Sequence, residues 1–299
     1  MNRNGHKKVV KKFIAGMWRY GFLRGIIGIT TFVKFKVLKL REGTILTATD
    51  GLLIHFKFPA QFMPTLIIFK ELVEPEFEFL RYILDRDSIF FDVGGGIGTY
   101  SIFTAKLLNG PIQIFEPVEE NIQTIKKNLE SNSVKSKVQL NTVALSNKAG
   151  FGRMQKDRTL FLSHLNKVSA NYDMDSVKVT TLDLFCSQQN IDHIDVLKVD
   201  VEGHEPEVLE GAKELLNKRR INIIILEAHP ESYVFYNSLE KMGFDIFYYD
   251  YDKYLLRRIL PVSEENIKNL KPSPFHSNII LIQRETTKRI KGKLDSIKV

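Results

Sequence analysis

Four carboxylates in this 299-residue chain each close an apolar run. Asp92 follows Ile89-Phe90-Phe91, Glu116 follows Ile112–Phe115, Asp200 follows Ile194–Val199, and Glu227 follows Ile221–Leu226. A carboxylate can accept a hydroxyl, pair with an amine or take up a proton. Between the first two acids lies a glycine cluster, Gly94-Gly95-Gly96 with Gly98, then a helical pattern through Tyr100, Ile102, Phe103, Leu107 and Leu108. Glycine lets a backbone turn tightly and approach a ligand, and an acid about 20 residues downstream is where ribose hydroxyls are held. The first inference is therefore a cofactor containing a nucleoside.

Spacing narrows the choice. A diphosphate binder carries G-x-G-x-x-G, whereas here the order is Gly94-x-Gly96-x-Gly98 with Asp92 in front. An acid beside the loop suits an ammonium group and repels a phosphate. That favours S-adenosylmethionine, which has an α-amino group and no diphosphate, over a dinucleotide. The expected cofactor contacts are Asp92, Gly94, Gly96, Gly98, Tyr100, Glu116, Pro117 and Val143. A purely structural reading has Asp92 capping a helix and Glu116 solvating a strand end.

The second dense stretch, Ile194 to Leu216, supplies candidates for chemistry. Asp200 is the first choice to position an acceptor or take its proton, with Glu202 and His204 as alternatives on the same turn. The competing reading makes Asp200 a cap for the following helix and Glu202-Gly203 a shaped turn. Asp200, Glu202, His204, Glu227 and His229 could also surround a divalent cation, with Asp200 and Glu227 as the leading ligands. Their spacing matches no defined ligand motif. The lone Cys186 has no neighbours that would make it a nucleophile and reads as a small apolar filler.

The elements that would hold these residues alternate. Strands at 89–91, 112–115, 138–143, 194–199, 221–226, 244–249 and 278–283 are separated by helices near 99–108, 119–131, 205–216 and 231–242. Such alternation predicts an α/β domain with a mainly parallel sheet covered on both faces, and ligands there lie beyond the carboxyl ends of the strands. Short strands are expected at 151–155 and 177–181, with 156–176 a loop near the substrate mouth. Upstream, Glu74–Leu84 reads as a helix, and 44–58 as a hairpin turning at Thr49-Asp50-Gly51. These upstream pieces are expected to flank or cover the cofactor edge.

Charge is unevenly spread. Residues 1–41 hold 11 of the 43 Lys and Arg and no Asp or Glu, which leaves 32 basic against 35 acidic residues, a net of −3, in the rest. A near-neutral core argues against nucleic acid as partner. Val9, Val10, Phe13, Ile14, Met17 and Trp18 fall at helical spacing among lysines, which suits either packing on the protein's own body or an anionic membrane surface. Arg19 and Arg24 interrupt any run long enough to span a bilayer. No secretory signal is evident, and a single cysteine fits a reducing compartment, so the expected location is cytoplasmic, with peripheral attachment at the inner face of a membrane as an option.

Taken together, the residues resemble the FkbM-type S-adenosylmethionine-dependent methyltransferases. The matching pieces are Phe91-Asp92-Val93-Gly94, Ile97-Gly98, Tyr100-Ser101, Phe115-Glu116-Pro117, Asn141 with Ala144-Leu145-Ser146, and Thr181-Leu182-Asp183. They continue with Leu197 through Glu205, Val208-Leu209 with Gly211, and Ile225-Leu226-Glu227. The resemblance implies the class I methyltransferase fold (Rossmann-like), a seven-stranded mixed sheet with helices on both faces and its last strand antiparallel. It also implies methyl transfer to a hydroxyl of a sugar, glycolipid or polyketide-like product. Gly95-Gly96 departs from the family's more frequent Ala-Asn. The expected division is a basic N-terminal extension at 1–70, a methyltransferase domain at 71–285 and a basic tail at 286–299. Two other readings stand beside this one. A dinucleotide-dependent oxidoreductase or epimerase would need a third phosphate glycine and a Tyr-x-x-x-Lys pair. A catalytically silent adaptor at a membrane surface is opposed by the intact Asp92 and Glu116.

Overall fold

The computed structural model describes residues 14, 17, 20–58, 63–72, 74, 76–156, 163–165, 176–250, 253, 255–270 and 278–296. Its centre is a sheet of eight strands: β3 (Phe90–Val93), β4 (Ile112–Phe115), β5 (Val138–Asn141), β10 (Ile194–Val199), β11 (Ile221–Glu227), β12 (Phe244–Asp250), β13 (Leu255–Arg258) and β14 (Asn278–Gln283). They lie in the order β13-β12-β14-β11-β10-β3-β4-β5. The five strands from β11 to β5 run parallel, and β14 inserts antiparallel between β11 and β12. This is the class I methyltransferase arrangement, with one strand more than the seven expected. The addition, β13, pairs antiparallel with β12 at the edge.

The strands are continuous apolar runs because both faces are buried. Alternate residues serve different cores. Phe90, Ile114, Val196, Ile223 and Ile280 face one cluster, and Phe91, Phe115, Leu197, Ile224 and Leu281 face the other. Helices α3 (Glu76–Ile83), α4 (Thr99–Leu107) and α5 (Glu119–Ser131) contribute to the first cluster. Helices α6 (Leu182–Gln189), α7 (Glu205–Glu210), α8 (Lys213–Asn217) and α9 (Tyr233–Lys241) contribute to the second.

Between β5 and β10 the chain builds a second, small sheet in the order β6-β9-β7-β8. Its strands are β6 (Ala144–Leu145), β7 (Gly150–Lys156), β8 (Ser163–Leu165) and β9 (Ser176–Thr180). The run expected as one strand from 138 to 143 therefore ends at Asn141, and Ala144-Leu145 leaves the main sheet for this one. Part of the expected 156–176 loop is the strand β8.

Upstream, α1 (Phe22–Val37) precedes the hairpin of β1 (Glu42–Leu46) and β2 (Leu53–Lys57), paired from Glu42↔Lys57 to Leu46↔Leu53. The hairpin, expected to flank or cover the cofactor edge, sits on α5. Asn132 accepts from Leu53 N–H at 2.9 Å and donates to Leu53 O at 2.8 Å, and Asn128 does the same for His55 at 2.6 and 3.1 Å. Next, α1 meets α2 (Met63–Phe69) through glycine. A Cβ on Gly28 would lie 1.9 Å from the Ile68 carbonyl oxygen, so only glycine allows the approach. Val9, Val10, Phe13 and Trp18 of the expected basic helix lie outside the described residues, while Ile14 and Met17 are helical. At the other end, the described part of the expected basic tail lies in α11 (Arg284–Arg289) and α12 (Lys291–Ser296), and residues 297–299 lie outside the described residues. Ile290 is buried between them, and Lys293 bonds Asp85 at 2.6 Å. The remaining short helix is α10 (Glu264–Lys268).

Candidate active site

The glycine turn after β3 is held from both sides. Gly94 and Gly95 donate to Phe115 O at 3.0 and 3.2 Å, and Gly98 donates to Gly95 O at 2.7 Å. Gly94, at φ 75°, approaches Asp200 so closely that a Cβ there would sit 1.9 Å from its carbonyl oxygen. That contact joins the ends of β3 and β10. Gly95 has ordinary backbone geometry, but a Cβ would fall 2.6 Å from the Ile114 side chain. Gly96, at φ 57°, has open space on its Cβ side.

Asp92 is 1% exposed. Its Oδ2 accepts from Ser101 at 2.8 Å, and its Oδ1 has no hydrogen-bond partner although it is fully buried. An orphaned buried carboxylate oxygen is costly unless something else satisfies it. The Lys198 ammonium, 3.6 Å away, does so only partly. Glu116 also is nearly inaccessible. Its two oxygens accept from the N–H groups of Gly96 and Val118, both at 2.9 Å, which leaves lone pairs for further donors. Burial raises its carboxyl to about 7, against the opposing pull of those amides. An open left-handed glycine, an unsatisfied carboxylate and a second acid on the loop fit an aminoacyl nucleoside such as S-adenosylmethionine. Pro117 and Val143 are half-buried close by in sequence, Val143 packing on the cluster that includes Phe115 and Phe185.

Tyr100 occupies a different position from an open cofactor contact. It is buried, and its hydroxyl donates toward Glu76 at 2.9 Å and Glu74 at 3.2 Å. Burial and these acids hold its phenol well above the ordinary value. The Lys198 ammonium lies 4.8 Å from the centre of its ring.

Lys198 is the residue that sequence reasoning passed over. It interrupts the apolar strand β10, and its head group spans Asp92 and Asp200, the latter at 3.1 Å. Burial alone would lower its pKa, but Asp200, Asp92 and Glu74 reverse this and raise it, so the ammonium stays charged. A lysine one residue before the end of the Ile-Asp-Val-Leu-Lys-Val strand, at a position buried on both sides, was the visible signal. A buried cation needs carboxylate partners, and the two strand-end acids supply them.

Asp200 itself is partly exposed and donates its N–H to Val93 O at 3.0 Å. The next turn is bound by Glu205, whose Oε1 accepts from Val201 and Gly203. Glu202 has a left-handed φ of 57°. Burial, then Asp200, Glu227 and Glu205, raise its carboxyl to about 7. His204 turns toward the small sheet, with Nε2 2.9 Å from the Ser146 hydroxyl and Nδ1 3.6 Å from Glu207. Burial lowers its pKa. Of the expected metal-binding set, Glu227 and His229 come together, and Glu205 joins them. Asp200 is instead engaged by Lys198. Cys186 is buried, and burial pushes its thiol to about 12, so it is no nucleophile at neutral pH.

The profile of the methyltransferase FkbM domain matches residues 92–246. A curated relative, hexuronic acid methyltransferase AglP of Haloferax volcanii, is 28% identical over 157 residues, covering 52% of this chain and 62% of AglP. Among solved structures, methyltransferase FkbM from Methylobacillus flagellatus aligns with a TM-score of 0.44 at 14% identity, over 74% of this chain and 53% of that one. An rRNA methylase from Streptococcus thermophilus aligns with a TM-score of 0.41 at 13% identity, over 71% and 98%. The chain thus spans less than two thirds of the length of AglP and of the M. flagellatus protein.

Proposed function

The chain belongs to the methyltransferase FkbM family, and from that premise we propose that it is an enzyme moving a methyl group from S-adenosylmethionine to a hydroxyl oxygen of a sugar or glycolipid. The observation that carries the reading is Asp92 Oδ1, a buried acceptor without a hydrogen bond beside an open glycine turn. AglP, by its name a hexuronic acid methyltransferase, supports a sugar acceptor.

S-adenosylmethionine, when bound, supplies a methyl group on a positively charged sulfur. Transfer leaves a neutral thioether, a new oxygen–carbon bond and one released hydroxyl proton. Asp92 would hold the amino group, Gly94, Gly96 and Gly98 would shape the turn, and Glu116 would accept from the ribose. Pro117 and Val143 would border the base. Lys198 pairs with both Asp92 and Asp200, and Tyr100, bonded to Glu76, places its ring beside that ammonium. Asp200 orients the acceptor hydroxyl, and Glu202, raised to about 7, is matched to receive its proton near neutral pH. His204, fastened to Ser146, supports the turn. The methyltransferase unit is assigned to 71–285, with 1–70 as an extension.

Calorimetric titration of the purified chain tests this. S-adenosylhomocysteine should bind and NAD should not. Asp92→Asn should weaken that binding about tenfold or more, since an amide cannot pair with an ammonium. Asp200→Ala should bind normally while methyl transfer to an acceptor found by labelling cell extract falls roughly 100-fold or more. NAD binding in place of S-adenosylhomocysteine, or full turnover by the Asp200 variant, would sink the assignment.

Attachment to the inner face of a membrane belongs to the same proposal. No helix among the described residues is long and apolar enough to cross a membrane. Helix α1, however, buries only Gly25 and Gly28 and turns Phe22, Leu23, Ile27 and Val37 outward at 59–71% exposure. Lys34, Lys36, Lys39 and Arg41 follow at its end. An outward apolar face flanked by cations suits an anionic lipid surface, where a lipid-linked sugar would be presented.

A further inference from the structure

Beside the proposed acceptor position lies a group of side chains that the methyl-transfer reading leaves unused. Glu205 opens α7, Glu227 ends β11, and His229 lies two residues further on. One ligand atom from each, a carboxylate oxygen of either glutamate and a ring nitrogen of the histidine, lies within 4.8 Å of the other two. Three ligands at about 2.1 Å around one ion sit at most about 3.6 Å from one another, so these atoms need to close by up to about 1 Å, within the reach of side-chain rotation. His229 Nε2 is already 3.4 Å from Glu227 Oε2.

A cluster of acids alone would mean little. Here Glu205 adds an independent sign. The side chain is 3% exposed, Oε1 is committed to the turn amides of Val201 and Gly203, and Oε2 is buried with no hydrogen-bond partner. A buried carboxylate oxygen without a hydrogen bond is suited to a cation as its partner. The negative surroundings agree, because Asp200 and Glu202 stand on the same turn and Glu231 Oε1 lies 3.9 Å from His229 Nδ1.

We propose that Glu205, Glu227 and His229 bind a divalent cation at the carboxyl ends of β10 and β11. Two carboxylates and one imidazole suit Mn2+ or Zn2+, and three protein ligands leave positions open. If the methyl-transfer reading holds, on which this role rests, the open positions take the oxygens of the acceptor sugar, and the cation acidifies the hydroxyl. The competing arrangement is a protonated His229 that serves as the only counter-ion of the two glutamates.

Titration of the full chain with Mn2+ distinguishes the two, with no methyl donor or acceptor present. Bound Mn2+ loses the sharp six-line electron spin resonance of the free ion, and a second titration by calorimetry uses Zn2+. The expected result is one equivalent bound, with affinity falling at least about tenfold in both His229→Ala and Glu227→Gln. Glu205 is left intact because it also holds the turn, and far-ultraviolet circular dichroism checks that both variants fold. S-adenosylhomocysteine binding should be unchanged in His229→Ala, which separates loss of the cation from loss of the donor site. Absence of binding by millimolar Mn2+ and Zn2+, or binding that survives both substitutions, overturns the proposal and leaves the methyl-transfer reading to its own test.

Discussion

Glu116 carries the clearest pH signature among single residues. Its carboxyl is raised to about 7 by burial, so the folded chain holds that proton more tightly than the unfolded chain. Its contribution to stability is therefore complete below the unfolded value near 4.5 and is lost as pH rises through about 7. Ribose hydroxyls require the opposite form, since they donate to a carboxylate. S-adenosylhomocysteine should bind about tenfold more tightly at pH 8 than at pH 6, while the melting temperature of the unliganded chain moves the other way. Calorimetry and thermal melts with Glu116→Gln would check both, because the variant should flatten the two profiles. The glycines offer a second residue-scale contrast. Gly94→Ala forces a methyl group onto the Asp200 carbonyl at a left-handed φ and should cost roughly 3 kcal/mol or more in denaturant melts. Gly96→Asn meets open space at a φ that asparagine tolerates and should cost less than about 1 kcal/mol. Equal losses would contradict the geometry of the turn.

Between elements, the consequential joint is Asn128 on α5. Its amide donates to His55 O in the hairpin and to Ile97 O in the glycine turn, and its oxygen accepts from His55 N–H. One side chain thus ties the N-terminal hairpin to the loop that would cradle the donor. Asn128→Ala removes three bonds and leaves buried backbone groups without partners, a loss of about 3 kcal/mol. Hydrogen exchange should show faster exchange in residues 53–57 and in the turn after Gly94, with the central strands β3, β10 and β11 unaffected. Uniform loosening of the whole chain would mean that the asparagine is only one of many equivalent core contacts. The pairing also accounts for the position of the hairpin. Leu52, Ile54 and Phe56 turn into the apolar core, while the asparagines of α5 take the backbone edge at Leu53 and His55.

At the scale of the molecule, the question is what meets the outer face of α1. Three of its exposed side chains, Phe22, Leu23 and Ile27, would each contribute about 1.5–3 kcal/mol on leaving water, so their joint replacement by serine should abolish flotation with vesicles containing anionic phosphatidylglycerol. Raised salt should weaken the wild-type interaction through screening of Lys34, Lys36, Lys39 and Arg41. A wild-type chain that stays at the bottom of the gradient refutes attachment, whatever the enzyme does in solution.

The sequence by itself determined the alternation of strands and helices, the acids at the strand ends and the glycine turn. These are local properties: unbroken Ile and Val runs report a sheet buried on both faces, and glycines report backbone that other residues cannot follow. Tertiary structure alone decided that Lys198 lies between Asp92 and Asp200, that His204 faces Ser146 rather than its neighbours on the turn, and that Glu205 joins Glu227 and His229. It also decided that Ala144-Leu145 leaves the main sheet and that a further strand closes its edge. The reason is common to all of these. Contacts between side chains far apart in the chain depend on which strands are neighbours and where each one ends, and no spacing within a single run encodes that.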